Sequence, residues 1–147
     1  MKRPEPSLRE RALRLLARRE YSRHELQRRL APHAEDAEAL EPLLDDLKRR
    51  GWLSEQRVVE QVVHARQAKF GGRRIAHELR EKGVADELIA GALAEFDELA
   101  TARSVWAKKF GAWPADAKER AKQMRFLMSR GFGSETIRKV LRDSGED

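Results

Sequence analysis

The strongest constraint on the fold is an apolar pattern that occurs three times along the chain. Each copy has an aromatic residue, with apolar residues eight and five positions before it and five and nine positions after it. The copies are Leu13, Leu16, Tyr21, Leu26 and Leu30, then Val62, Ala65, Phe70, Ile75 and Leu79, and finally Met124, Leu127, Phe132, Ile137 and Leu141. Apolar residues at these intervals lie on the facing sides of two consecutive helices. The pattern therefore predicts three helical hairpins, each with an aromatic residue at its turn and buried apolar residues on either side.

Helical spacing continues between the copies, and the apolar–polar alternation of strands does not persist anywhere. Helix starts with capping-box spacing occur at Ser7, Ser22 and Asp116, and a glycine stops the helix at Gly51, Gly83 and Gly131. A third helix follows each of the first two hairpins, whereas an extra helix near residues 98–110 precedes the third. We predict an all-α fold of tandem three-helix repeats, with about nine short helices in an elongated, curved array. The predicted repeats are residues 7–52, 53–97 and 98–144.

Several classes of chemistry are excluded or unsupported by the residues present. The chain has no cysteine, which excludes thiol catalysis, disulfides and cysteine-bound zinc. Its four histidines lack metal-ligand spacing, and neither a Gly-rich phosphate loop nor a nucleophile elbow occurs. We therefore predict no catalytic residue, no metal and no cofactor. No apolar run reaches the roughly 18 residues of a membrane span, and we expect a cytoplasmic monomer with no membrane contact.

Positive charge is concentrated at the two ends of the chain. The whole chain carries 31 Lys and Arg against 25 Asp and Glu, a net charge of +6. Residues 2–30 hold ten basic and four acidic residues, and residues 103–142 hold eleven and three, whereas residues 31–50 hold three and six. This distribution favours a polyanion or an acidic protein surface as the partner.

Helical spacing places some of these cations on single helix faces. Arg11, Arg14 and Arg18 share one face, and Lys118, Lys122 and Arg125 share another, each opposite an apolar stripe. Further predicted binding residues occur as the pairs Arg28–Arg29, Arg73–Arg74, Lys108–Lys109 and Arg138–Lys139. We predict that these cations bind the partner. The competing interpretation is that they serve solubility and compensate helix dipoles.

The three turn aromatics admit two interpretations. Tyr21, Phe70 and Phe132 are the residue type that stacks on nucleic-acid bases in single-strand binders. Their equivalent place in three repeats instead favours packing in the core or at the turn. We predict packing for all three.

Three segments resemble the RecX family of bacterial regulatory proteins. They are Ala12–Leu26, with the sequence ALRLLARREYSRHEL, Lys69–Val84, with the sequence KFGGRRIAHELREKGV, and Lys118–Leu141, which contains Arg125-Phe126-Leu127 and Arg130-Gly131-Phe132. The resemblance extends from about Ser7 to Arg142 in the same order and spacing. It implies tandem three-helix repeats that bind the helical groove of the RecA filament on DNA and restrain its strand exchange and ATP hydrolysis. Several family members also bind DNA directly, and none brings catalytic residues.

One segment departs from the family pattern, because residues 33–38 form an irregular acidic connection that puts the docking of the first repeat in doubt. We predict a regulator of the RecA filament in DNA repair and recombination, with the basic faces meeting acidic filament surface or DNA phosphate. The first alternative is a helical nucleic-acid-binding protein that acts on DNA without a recombinase. The second is a protein–protein scaffold that binds no DNA. Salt dependence separates them, because phosphate contacts make affinity fall steeply with salt.

Overall fold

The chain folds into consecutive short helices, as the apolar spacing predicts. A computed structural model describes residues 4–142, and these contain nine α-helices and no strand. The helices are α1 (Leu8–Arg18), α2 (Arg23–Leu30), α3 (Leu40–Arg49), α4 (Glu55–Arg66), α5 (Gly72–Glu81), α6 (Asp86–Ala94), α7 (Glu98–Lys109), α8 (Ala117–Ser129) and α9 (Ser134–Arg142). Two short 3-10 turns, Ala31–His33 and Ala37–Ala39, connect α2 to α3. The all-α prediction is confirmed, and residues 143 and 144 of the third predicted repeat lie outside the described residues.

The buried residues form three separate apolar clusters, each built from three consecutive helices. The first joins α1–α3, the second α4–α6 and the third α7–α9, and we call these groups the first, second and third repeats. A helix trio of this size buries little surface alone and gains stability from its neighbours. Three successive small cores in place of one central core make the molecule an array of tandem repeats, as predicted.

The hairpin pattern is confirmed at its two positions after the turn. Leu26, Ile75 and Ile137 are at most 1% exposed, and so are the three residues four positions further on. The predicted burial at the position eight residues before the aromatic is wrong in two copies, because Leu13 and Met124 are exposed.

The reason lies in the rotation of the first helix of each of those hairpins. Helix α1 turns Ala12 and the half-buried Leu15 toward the core, and α8 turns Gln123 and Leu127 inward. Because neighbouring helical positions differ by about 100°, the residue next to an inward position points away from the core. In α4 the position eight residues before the aromatic, Val62, is buried as predicted, but Ala65 is exposed.

Helix ends follow the predicted capping residues. Ser22 and Glu25 form a complete capping box at α2, in which each side chain accepts a backbone N–H of the other residue. Ser7 and Asp116 also cap α1 and α8, each by accepting one backbone N–H on its side chain. Gly83 and Gly131 have φ of 78° and 88°, a backbone conformation that favours glycine. These stops leave short connections, so consecutive helices pack as hairpins.

The third repeat has its extra helix before the hairpin, as predicted. Helix α7 packs against α8 and α9 and contributes Ala102 and Trp106 to their core. The buried Trp106 indole N–H donates to the Gln123 side chain at 2.8 Å, so the polar atoms of both residues are satisfied. The third core is therefore closed by a helix that comes earlier in the chain.

Candidate functional site

The basic residues divide into those neutralised by carboxylates and those that are not. Twelve of the fourteen predicted binding cations make no ion pair within residues 4–142. The other two have carboxylate partners. Arg11 pairs with Glu5 of the N-terminal segment at 2.9 Å, and Lys139 pairs with Glu135 one turn earlier on α9 at 3.7 Å. These two charges are partly neutralised within the chain.

The first basic face lies on α1 and extends to α2. Arg14 and Arg18 are exposed and line a pocket of 220 Å³ together with Arg29. Arg11 and His33 complete its polar lining. The structure thus brings Arg29 to the α1 face, a grouping that sequence spacing did not predict.

The second basic face lies on α8. Lys118, Lys122 and Arg125 are exposed and line one pocket of 510 Å³ with Asp116 and Glu119. No described ion pair involves these three cations. The same helix exposes Met124 and Met128, the latter at 60%. The α8 face therefore offers uncompensated positive charge beside accessible apolar surface.

The contact between the first and second repeats, the first seam, consists mainly of polar side chains. Glu25 accepts hydrogen bonds from Arg19 at 3.1 Å and from Lys82 at 3.2 Å. The Ser22 hydroxyl donates to the Lys82 carbonyl. Partial burial raises the pKa of Glu25, but the Ser22 N–H and the two cations outweigh it and lower the pKa overall.

Further polar contacts cross the first seam around α4. The Arg57 guanidinium pairs with Glu20 at 2.8 Å. The Arg23 N–H donates to Glu55 Oε1 at 2.8 Å, while the buried Oε2 of that carboxylate has no partner among residues 4–142. An unpaired buried oxygen reduces the net gain from this contact.

The contact between the second and third repeats, the second seam, is made by the main chain. The Gly71 N–H donates to the Arg130 carbonyl at 2.8 Å, and the Arg73 N–H donates to the Gly131 carbonyl at 3.2 Å. A Cβ atom on Gly71 would lie 2.5 Å from the Gly131 oxygen and 2.7 Å from a ring carbon of Phe132. The two glycines therefore permit a backbone approach that any larger residue would prevent.

A single carboxylate, Glu98 in the first turn of α7, reinforces the second seam. It accepts the N–H of Gly72 at the start of α5 at 2.7 Å and the hydroxyl of Thr136 on α9 at 2.5 Å. A longer contact at 3.4 Å joins it to the N–H of Gly133. Negative charge is favourable at helix N-termini, and Glu98 serves two of them at once. Its partners lie 26 to 38 positions away, so sequence spacing gave no indication of this role.

Cations and aromatic rings alternate along the second seam. Arg74 lies 4.7 Å from the Phe70 ring centre, and Arg130 lies 5.5 Å from that ring and 5.1 Å from the ring of Phe126. Lys109 follows at 5.3 Å from Phe126. We call these five residues the cation–ring row. A pocket of 340 Å³ beside it is lined by Phe126, Arg130, Lys69, Lys108 and Lys109, with Ala68 and Val105.

Sequence reasoning found only part of this row. Arg74 and Lys109 are predicted binding residues, whereas Arg130 and Phe126 are not. All three turn aromatics pack as predicted: Tyr21 and Phe132 lie in a core and are at most 4% exposed, and Phe70 is half-buried at its turn. Phe70 differs because it packs against guanidinium groups from both repeats and not into an apolar core.

The remaining predicted residues are dispersed. Arg28 lines a pocket at the first seam with acidic neighbours, and Arg73 and Arg138 are exposed outside the two basic faces. Within residues 4–142 no group of three His, Asp or Glu residues is placed to hold a metal ion. No described helix is long and apolar enough to cross a membrane.

Comparisons with known proteins agree with this architecture. Residues 54–93 match the family model for the second three-helix domain of RecX, and residues 97–141 match the model for the third. A regulatory protein RecX from Leptothrix cholodnii is 53% identical over 95% of this chain and 90% of its own length. One from Chromobacterium violaceum is 48% identical over 96% and 93%. The crystal structure of RecX from Lactobacillus salivarius has a TM-score of 0.81 at 16% identity and covers 93% of this chain and 94% of that chain, a likeness of fold.

Proposed function

This chain belongs to the RecX family of regulatory proteins, and on that premise we propose that it regulates the RecA recombinase. In this proposal the protein lies in the helical groove of the RecA filament on DNA and restrains ATP hydrolysis and strand exchange. It acts by occupying a surface and not by catalysing a reaction.

The observation that carries the proposal, besides the family, is the positive charge of the α8 face. Its cations Lys118, Lys122 and Arg125 make no ion pair within residues 4–142. On the α8 face, Lys118, Lys122 and Arg125 point to solvent beside Met128. Such a surface suits an acidic protein groove, in which charge steers the encounter and an apolar side chain adds affinity.

The shape of the array also supports a groove partner. Three small cores in series offer a long surface, and the pockets on the α1 and α8 faces are open depressions lined largely by charged side chains. A long surface can contact several subunits of a helical filament together, which raises the effective affinity of each contact.

The test is a titration of the protein into RecA filaments on single-stranded DNA, with ATP hydrolysis as the measurement. We expect the wild type to reduce hydrolysis. Replacing Lys118, Lys122 and Arg125 with Glu removes the α8 charge, and we expect this variant to remain folded by circular dichroism and to lose most of the effect.

A matched control carries the same change of charge on α3. Lys48→Glu, Arg49→Glu and Arg50→Glu alter exposed cations in and just after the last turn of that helix, and because Arg49 and Arg50 pair with Asp46, the fold of this control is also checked by circular dichroism. We expect this control to restrain hydrolysis as the wild type does. Equal loss in both variants would indicate general charge attraction. No effect of the wild type on hydrolysis, together with equal affinity for filament and naked DNA, would favour the nucleic-acid binder.

A further inference from the structure

A groove runs between α4 and α6 on the surface of the second repeat. It has a volume of 560 Å³ and an apolar floor, in which Val59 is buried and Val63, Leu88 and Ala92 are half-buried. Gly91 of α6 adds no side chain, and a Cβ atom there would meet nothing within 4 Å. We call this depression the α4–α6 groove. The half-buried part of its floor is apolar surface that stays accessible from outside.

The rim of the α4–α6 groove is acidic, although the chain as a whole is basic. Glu60 of α4, Glu87 of α6 and Glu95 just after α6 line the groove and are exposed. No Lys or Arg is among the described residues that line it, and none of the three carboxylates makes an ion pair within residues 4–142. The side chain of Gln56 donates a hydrogen bond to Glu60 at 3.3 Å. Because like charges repel, this rim disfavours nucleic acid and favours a protein surface that brings cations beside an apolar ridge.

The α8 face of the same chain has the matching composition. Its cations Lys118, Lys122 and Arg125 are exposed and make no ion pair within residues 4–142. Met124 and Met128 lie one helical turn apart beside them and are 38% and 60% exposed. Methionine is unbranched and flexible, so it fits irregular apolar depressions. Three cations beside two apolar side chains complement three carboxylates around an apolar floor.

The two surfaces lie on different repeats, and within residues 4–142 no ion pair joins a cation of one to a carboxylate of the other. Each therefore stays available to a second copy of the chain. We propose that the α8 face of one copy binds the α4–α6 groove of a second copy, with Met124 and Met128 on the apolar floor and the three cations opposite the three glutamates. A helix laid into an apolar groove is a recurring mode of protein recognition.

The contact joins two different surfaces and is therefore heterologous. A bound pair leaves one α8 face and one groove free, so further copies add head to tail as the protein concentration rises. The monomer expected from the sequence then holds only at low concentration. The proposal goes beyond the proposed function, because association covers the α8 face that the filament would contact. Free protein and filament then compete for one surface.

The experiment is sedimentation velocity of the full chain without recombinase, over a series of protein and salt concentrations. We expect the average sedimentation coefficient of the wild type to rise with protein concentration, and this rise to diminish as salt screens the charges. The groove variant carries Glu60→Lys, Glu87→Lys and Glu95→Lys, and the α8 variant carries Lys118→Glu, Lys122→Glu and Arg125→Glu. Each variant should associate about tenfold more weakly than the wild type, because like charges then face each other across the contact.

A chain with all six reversals provides the sharpest test. The net charge stays at +6, and glutamates on α8 then face lysines in the groove. We expect association to return to within about threefold of the wild type, because the pairwise attraction is restored. The α3 control, with Lys48, Arg49 and Arg50 replaced by Glu, lies outside both surfaces and should associate as the wild type does. Met128→Gln should weaken association about fivefold and leave its salt dependence unchanged, because the lost contact is apolar.

A wild type that stays monomeric at every concentration in low salt would overturn the inference. So would a six-reversal chain that is folded by circular dichroism yet associates no better than the groove variant. Equal loss in the α3 control and the α8 variant would assign the effect to general charge and would also overturn it. If a triple variant fails to fold, Glu60→Lys and Met128→Gln decide, and unchanged association in both would contradict the contact.

The inference and the proposed function fail separately. A protein that restrains RecA but never associates with itself would overturn the inference and leave the proposed function standing. Self-association without any effect on RecA would support the inference and count against the proposed function.

Discussion

The two seams join their repeats by different chemistry. The first seam is made by side chains that are partly exposed, above all Glu25 with Arg19 and Lys82, and no backbone–backbone hydrogen bond crosses it in the part of the chain described. The second seam has two such bonds, at 2.8 and 3.2 Å, where Gly71 and Gly131 bring the main chains together. The same kind of three-helix unit is therefore attached in two ways.

Contact between tandem repeats is therefore not uniform along this chain. Partly exposed ion pairs contribute about 0 to 1 kcal/mol each and weaken as salt rises. Main-chain hydrogen bonds and close steric fit depend little on salt. The first seam should respond more strongly to salt than the second, whereas both should respond to changes of shape, because Gly83 also approaches His24 closely across the first seam.

The largest expected effect comes from Gly71→Ala at the second seam. Its φ of −85° suits any residue, so only the missing side chain matters. The added Cβ would lie 2.5 Å from a main-chain oxygen, and we expect a loss of about 3 kcal/mol in the free energy of unfolding. Urea denaturation measures it.

The control is Gly91→Ala, inside α6. A Cβ there meets nothing within 4 Å, so the better helix propensity of alanine should stabilise the protein by up to about 1 kcal/mol. Equal tolerance of both substitutions would contradict the close approach at the second seam.

A smaller effect is expected from Glu98→Ala. This change removes the acceptor shared by α5 and α9 and should lower the free energy of unfolding by about 2 kcal/mol. Hydrogen exchange at the Gly72 amide should accelerate at the same time. Protection of that amide as in the wild type would show that Glu98 does not hold the seam.

The smallest effect is expected from Glu25→Gln at the first seam. Glutamine keeps the capping hydrogen bond but removes the charge that pairs with Arg19 and Lys82, which should reduce the free energy of unfolding by about 1 kcal/mol. The difference from the wild type should shrink in 1 M NaCl. A difference that persisted in full at that salt would assign the effect to packing.

The pH dependence of the same contact has a definite sign. The pKa of Glu25 is lowered in the folded protein. Its pairing therefore stabilises the fold in full at any pH above the pKa of an unfolded glutamate, about 4.3. That stability is lost as pH falls through the lower folded pKa. Thermal melts of wild type and Glu25→Gln should therefore converge as pH drops from 6 into that range.

Spacing within short segments of the sequence predicted the helices well, but it did not predict contacts between distant segments. The capping box at Ser22 and the buried Ile75 and Ile137 follow from spacing within one hairpin. The exposure of Leu13 and Met124 does not, because a single apolar pattern leaves the rotation of a helix uncertain by one position.

The sequence likewise predicted only some of the residues that the structure brings together at the candidate site. The α8 face was found because three cations share one helix, and the Lys139–Glu135 pair was visible in the sequence at the same spacing. The cation–ring row was not found, because its members come from separate helices and turns up to 60 positions apart. Only the fold brings them together.

The division of the interior into three clusters has a consequence for how the chain reaches its structure. Each cluster draws on one stretch of the chain, so most apolar burial requires only short loops to close, and such low contact order favours rapid folding. The seams join residues 26 to 60 positions apart and close after the clusters they connect. During synthesis the first cluster is complete once Leu53, just after α3, has left the ribosome, and we expect it to collapse before α7 is made.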